Sequence, residues 1–177
     1  MISTEAYNIE PLSLKDSKSL NRLMVVNAER FKHYLPKTLE QNLSVKASRK
    51  FVNSKVEKHL SKDEFLFTIK EKQGHQVVGL VYIKELDWIK KQGEFAYCID
   101  LNHQGKGWMS NTIQELSNYA QTVLGLETLQ IIVHKSNYES IKVAKNCNFV
   151  WRKTLKDEYM PPNGSPLDME LYELYKK

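Results

Sequence analysis

The feature that most constrains this chain is a glycine-rich turn that joins an apolar run to a helical pattern. Phe95-Ala96-Tyr97-Cys98-Ile99 has the character of a central strand, with no polar face. Asp100-Leu101-Asn102-His103-Gln104-Gly105-Lys106-Gly107 follows, and Met109, Ile113, Leu116, Ala120 and Val123 then recur at steps of four and three. A strand, a tight turn and a helix in this order aim several backbone N–H groups at one point, at the positive end of the helix dipole. Such a turn is a ready-made anion site. Gly105 and Gly107 let the backbone approach an anion closely, and Lys106 adds a cation beside it. The spacing matches neither GxxxxGK[ST] nor GxGxxG. On spacing alone, the segment reads equally as a phosphate cradle and as a simple strand-to-helix connection.

The flanking sequence supplies the rest of an α/β layer. Tyr7 to Leu12 alternates and carries Pro11 near its end, as a short edge strand does. Leu20, Leu23 and Met24 share one helical face, and Ala47, Phe51, Val52, Val56 and Leu60 share another, with Pro36 between the two stretches. Phe65 to Ile69 and Val77 to Ile83 form a hairpin about Lys72-Gln73-Gly74-His75, and a second turn at Lys90 to Gly93 leads into the central strand. Gly125 closes the long helix. Leu129 to Val133 is a strand, and Ser136-x-x-Glu139 is the capping box of a helix reaching Cys147. Phe149-Val150-Trp151 and Met169 to Tyr175 are strands, separated by the turn-rich Pro161 to Pro166. Hairpins together with one βαβ stretch imply an α/β (α+β) fold with a mixed sheet.

Composition narrows the class. The chain has 177 residues with no linker-like shift, so one domain spanning 1–177 is expected. No apolar run approaches the roughly 20 residues of a spanning helix, and the first residues lack a basic and an apolar leader segment. No membrane association is expected, and a cytoplasmic location is. The two cysteines, Cys98 and Cys147, show neither a CxxC pair nor a Cys/His ligand spacing, so no metal site is expected. A net charge of +5 favours polyanions in a general way, but the cations are scattered and no nucleic-acid motif accompanies them. Direct nucleic-acid binding is not expected.

Gln104-Gly105-Lys106-Gly107-Trp108-Met109 resembles the Q/R-x-x-G-x-G/A pyrophosphate loop of the GNAT (Gcn5-related) N-acetyltransferases. Downstream, Asn137-Tyr138-Glu139-Ser140 with Val143 and Asn148-Phe149 resembles that family's N-x-x-S…V…G-F segment. Glu94-Phe95-Ala96-Tyr97 is similar to the E-I-G-Y strand of the branch that acetylates ribosomal-protein N-termini at serine or alanine. The resemblance runs from Tyr7 to Tyr175. It implies a mixed, mostly antiparallel central sheet of about six or seven strands flanked by about four helices. Three positions depart from the pattern: Met109 replaces a small residue, Asn148 replaces a glycine, and Ala144 stands where many members carry a tyrosine acid.

What the resemblance implies about chemistry follows from amine acetylation itself, in which an amine loses a proton before attacking a thioester and the leaving thiolate gains one. Acetyl-coenzyme A would lie between the Glu94–Ile99 and Leu129–Val133 strands. Gln104, Gly105, Lys106, Gly107, Trp108 and Met109 would hold its pyrophosphate, Asn137 its pantetheine arm, and backbone groups of Ile99 and Leu101 the pantetheine and thioester carbonyl. Asn137 reads equally as a plain helix cap. Glu94 is the candidate base, its pKa raised if the cleft buries it, and Ser140 is the candidate acid. A solvated carboxylate and an ordinary first-turn serine are the competing readings. Transfer would be direct, with Cys98 a small core residue rather than a nucleophile. The expected acceptor is a ribosomal-protein-like N-terminal α-amine. A small amine such as a polyamine or an antibiotic, and a coenzyme A-binding module that lost turnover, are the alternatives. Homodimerisation is expected from the resemblance alone.

Overall fold

The computed structural model describes residues 1–161 and 164–176. Within them the chain forms eight strands and six α-helices, with antiparallel pairings predominating. The architecture is the mixed α/β one expected from the sequence. Its additional strand is β1 (Ile2–Ser3), too short to carry a periodicity. Its additional helices are α2 (Ala28–Tyr34) and α3 (Pro36–Glu40), single short segments on either side of Leu35. Proline opens α3 at its first turn, where no N–H partner is needed. The chain divides into two compact units, one made of residues 1–84 with 97–108, the other of residues 85–96 with 109–177.

In the first unit, β1, β2 (Tyr7–Pro11), β3 (Phe65–Glu71) and the body of β4 (Val77–Asp87) pair antiparallel in succession, with Ile9 opposite Ile69 and Phe67 opposite Val81. β3 is buried from Phe65 to Lys70, which is why Phe65 to Ile69 reads as an apolar run interrupted only by Thr68. α1 (Ser17–Val26) buries Leu20, Leu23 and Met24, and α4 (Val45–Ser61) buries Phe51 and Val52. Ser44 caps α4 by accepting from the Ala47 N–H at 3.2 Å, and Lys62 closes it in the left-handed conformation at φ 60°. Gly79 of β4 is needed for closeness: a Cβ there would stand 3.0 Å from the Cys98 carbonyl oxygen.

In the second unit, the start of β5 (Gln92–Ile99) pairs parallel with β6 (Thr128–Val133), from Gln92 opposite Thr128 to Phe95 opposite Ile131. A parallel pair needs a crossover, and the helix it demands is α5 (Trp108–Thr122), which buries Met109, Thr112, Ile113, Leu116, Ser117 and Ala120. β6 pairs antiparallel with β8 (Leu167–Tyr175), and β8 with β7 (Val150–Tyr159). β7 runs far beyond the expected Phe149 to Trp151. Seven of its ten residues are exposed and none is buried, so no apolar alternation marks it in the sequence. Of the turn expected at Pro161 to Pro166, Pro162 and Asn163 lie outside the described residues. Among the described residues, no helix is long and apolar enough to cross a membrane.

Candidate functional site

The glycine turn begins where β5 ends. Asp100 caps the short 3-10 turn Leu101–His103 by accepting from the Asn102 N–H at 2.8 Å, and the chain then passes Gln104 into Gly105 at φ +72° and Gly107 at φ +76°. Both values favour glycine strongly. A Cβ at either residue would meet nothing within 4 Å, so no protein packing explains the two glycines and open space lies beside them. Gln104, Gly105, Lys106 and Gly107 are all exposed, and α5 starts at Trp108 directly after them. Open space, backbone amides and one lysine at the start of a 15-residue helix fit a pyrophosphate.

Trp108 fixes the helix start. The Tyr7 ring stacks on it at 4.6 Å between centroids, and the Tyr7 hydroxyl donates to the Trp108 carbonyl at 3.2 Å. The His103 ring approaches it at 5.0 Å, and the Lys106 ammonium lies 5.6 Å from its centroid. His103 also sits between two carboxylates, its Nε2 3.5 Å from Glu71 and its Nδ1 3.6 Å from Asp100. A cavity of about 210 Å³ opens beside these groups, lined by Arg22, Glu71, Val78, Asp100, Asn102 and His103 among others.

The end of β5 is held by residues that carry no sequence motif. Asn27, at the α1–α2 corner and only 6% exposed, accepts the Leu101 N–H at 3.1 Å and donates to the Asp100 carboxylate at 3.1 Å and the Leu23 carbonyl at 3.0 Å. Arg30 of α2 donates to the Ile99 carbonyl and, at 3.3 Å, to Asn27. Burial pulls the Arg30 pKa below its ordinary value, an effect opposed by Cys98, Asp100 and Tyr34. Burial pushes the Asp100 carboxyl up, but the bonds from Asn27, Asn102 and His103 outweigh it and leave the group below the usual carboxylate range. Thus the Ile99 carbonyl and the Leu101 N–H, both expected to face a cofactor, have partners within the protein. Their partners lie about seventy residues upstream, so no local pattern announces them.

The second unit carries the remaining predicted residues. Glu94 is half-buried on β5 opposite Gln130 of β6. Met109 is buried in α5, so its side chain belongs to the core while its backbone begins the helix. Asn137 is the N-cap of α6 (Tyr138–Asn146) and accepts from the Ser140 N–H at 3.2 Å. The N-cap is therefore Asn137, one residue after the Ser136 expected to open a capping box. Ser136 instead bonds the His134 ring at 2.7 Å, and Asn137 closes the first turn. Ser140 is half-buried in that turn. Asn148 adopts φ 62° after the helix, the left-handed conformation in which it stands for the family's glycine, and delivers Phe149 against Phe95 at 6.3 Å. Ala144 is fully buried. Both cysteines are free and buried, and burial pushes the Cys98 thiol up to about 12, which removes it as a nucleophile at neutral pH. Among the described residues, no cluster of His, Cys, Asp or Glu is arranged to hold a metal ion.

The GNAT acetyltransferase domain matches residues 8–150, and the chain belongs to that family. Its sequence is 30% identical to an uncharacterised N-acetyltransferase, p20, of Bacillus licheniformis over 63% of this chain and 62% of that one. It is also 30% identical to a spermidine N(1)-acetyltransferase of Vibrio cholerae over 63% of this chain and 64% of that one. The matched region thus spans under two thirds of either relative. The fold is shared with the ribosomal-protein-S5-alanine acetyltransferase of Vibrio fischeri, with a TM-score of 0.91, 20% identity and coverage of 98% of this chain and 95% of that one. The microcin C7 self-immunity acetyltransferase MccE, solved with acetyl-CoA and AMP, superposes with a TM-score of 0.87 at 21% identity, covering 98% and 94%. The chemistry of the family is acetyl transfer from acetyl-coenzyme A.

Proposed function

We propose that this protein moves the acetyl group of acetyl-coenzyme A directly onto an amine, and that the amine is the N-terminal α-amine of a protein. The observation that carries the reading is the glycine turn, with Gly105 and Gly107 at positive φ, nothing within 4 Å of either missing Cβ, and α5 beginning at the next residue. Acetyl-coenzyme A supplies the activated acetyl thioester. Residues 104–109 bind its pyrophosphate through backbone N–H groups and Lys106. Glu94 takes the proton from the acceptor amine, directly or through one water, and Ser140 gives a proton to the departing sulfur. No acyl-enzyme forms, in keeping with the unreactive Cys98 thiol.

The roles first expected of the β5 backbone are refined by Asn27 and Arg30. The Ile99 carbonyl keeps a second lone pair for the pantetheine arm. The Leu101 N–H has one proton, already given to Asn27, and serves the thioester only by exchanging that partner. Asn137 caps α6, which leaves its amide NH₂ for the pantetheine arm. The small-amine alternative rests on the spermidine acetyltransferase relative. We assign the activity to the cytoplasm, where buried free thiols such as these stay reduced.

Calorimetric titration with acetyl-coenzyme A, followed by coenzyme A release on a panel of amines, tests the reading. Gly107→Trp fills the cradle and is expected to abolish micromolar binding. Glu94→Gln is expected to keep affinity within about twofold and to lower kcat by about 100-fold. Wild-type protein that fails to bind acetyl-coenzyme A, or equal loss of affinity in both variants, would overturn it.

A further inference from the structure

The acceptor is the open question, because relatives that act on polyamines and on ribosomal proteins share this fold. Two observations in the first unit bear on it. The first is Arg30, whose guanidinium is half-buried where β5 ends, bonded to the Ile99 carbonyl and to Asn27 and lying 5.0 Å from the Phe31 ring centroid. Its Nε is buried without a hydrogen-bond partner, so the cation retains an unspent donor. Asp100 is a carboxylate of the same network, and its oxygens accept from Asn27 and the Asn102 N–H. The second is the helical arm that carries Arg30. From Ala28 to Lys62 there are nine Lys and Arg against three Glu, an excess of six that exceeds the +5 of the whole chain. Lys32, Lys37, Lys46, Arg49, Lys50 and Lys58 are all exposed.

We propose that Arg30 is a specificity-determining residue and that the α2–α4 arm is the docking surface for an acidic peptide, so that the acceptor is an α-amine followed by carboxylate side chains. The proposal rests on the acetyl-transfer reading, in which the thioester that the acceptor must reach lies against Ile99 and Leu101 at the end of β5. A fixed guanidinium there repels a polyamine, whose reacting nitrogen arrives with further ammonium groups attached. The same charge attracts the carboxylates that follow an acidic N-terminus, and the exposed arm extends that attraction along the peptide. Complementary charge of this kind raises encounter rates and rejects wrong partners, and it fades with salt. A cationic arm also attracts RNA, but the bonds of Arg30 tie the charge to the strand end, where a reacting group must come, rather than to a phosphate track.

The test compares coenzyme A release from three peptides, Ser-Ala-Glu-Glu-Glu, Ser-Ala-Gly-Gly-Gly and Ser-Ala-Lys-Lys-Lys, and from spermidine, at 20 and 300 mM salt. The enzymes are wild type, Arg30→Gln, Arg30→Lys and the exposed triple variant Lys46→Glu/Arg49→Glu/Lys50→Glu, each first titrated with acetyl-coenzyme A. We expect wild type to prefer the acidic peptide over the lysine peptide by at least about tenfold in kcat/KM at low salt, the ratio shrinking at high salt, with spermidine the poorest acceptor. Arg30→Gln should lose most of that ratio and Arg30→Lys should keep part of it, while the triple variant reverses the salt dependence and leaves the glycine peptide within about twofold. A preference for spermidine or the lysine peptide, or an unchanged ratio in both Arg30→Gln and the triple variant, would overturn the proposal while leaving acetyl transfer intact. Stronger inhibition by oligouridylate than by N-acetylated acidic peptide would also overturn it, in favour of RNA. Absence of acetyl-coenzyme A binding or of turnover on any amine would overturn both readings.

Discussion

Polar side chains are dense both in the first unit's interior and on the outer hairpin of the second, yet they act differently. Lys70 of β3, with its side chain only 9% exposed, bonds Glu10 at 2.8 Å and Asp16 at 2.8 Å, and Asp16 in turn accepts from the Ser13 N–H at 2.9 Å. Asn27 ties the α1–α2 corner to the strand end in the same buried manner. On the hairpin, Lys156 meets Asp168 at 2.5 Å but is 76% exposed, and Arg152 meets Glu173 at 3.5 Å from an exposed position. Water can replace the hairpin partners at little cost. It cannot replace the interior ones, because the groups left behind stay dry. Proximity of opposite charges is common to both regions, and burial alone decides whether geometry is enforced.

The contrast is broken most severely at Lys70. Lys70→Met should strand two carboxylates and cost about 3–5 kcal/mol, read as a fall in the chemical-denaturation midpoint. Burial pulls the Lys70 pKa down, but the bonds and charges of Asp16 and Glu10 outweigh it, and the net shift is upward. A group raised in the folded state stabilises fully below its unfolded pKa and loses that contribution as pH rises through the folded one. Wild-type stability should therefore hold up to about pH 10 and drop above it, while Lys70→Met should lack that particular step. A variant as stable as wild type would place the triad with the hairpin pairs.

Asn27→Ala should come next, at about 2 kcal/mol, since it leaves the Leu101 N–H without its acceptor and Asp100 without a donor. If the clamp also positions the turn, acetyl-coenzyme A affinity should fall with it. Lost stability with unchanged affinity would reduce Asn27 to a packing residue. Smallest of all should be Lys156→Ala, with no measurable change in melting temperature at 0.15 M salt, because solvent already screens the pair.

How far the sequence discloses each part follows the same division. The glycine turn and the long helix are written in consecutive residues, since positive φ favours glycine and a buried helical face demands a repeat near 3.6. Asn148 was readable for a like reason, as one of few residues at ease in the left-handed conformation. Asn27 and Arg30 were not, because nothing near an asparagine at a helix corner says that it bonds a strand some seventy positions away. β7 escaped for the opposite reason, with most residues exposed, none buried and thus no alternation. Ser136 and Asn137 are both competent caps, and only the backbone conformation chose between them.

The buried thiols have a practical meaning for anyone measuring this reaction. Cys98 and Cys147 are the chain's two cysteines, and burial lifts them to about 12 and about 11, the latter opposed in part by the Gln114 backbone. A disulfide dye that counts thiols at neutral pH should find almost none on the folded protein. Every equivalent that it reports during turnover would then be coenzyme A, and a slow rise without acceptor would record unfolding instead of catalysis.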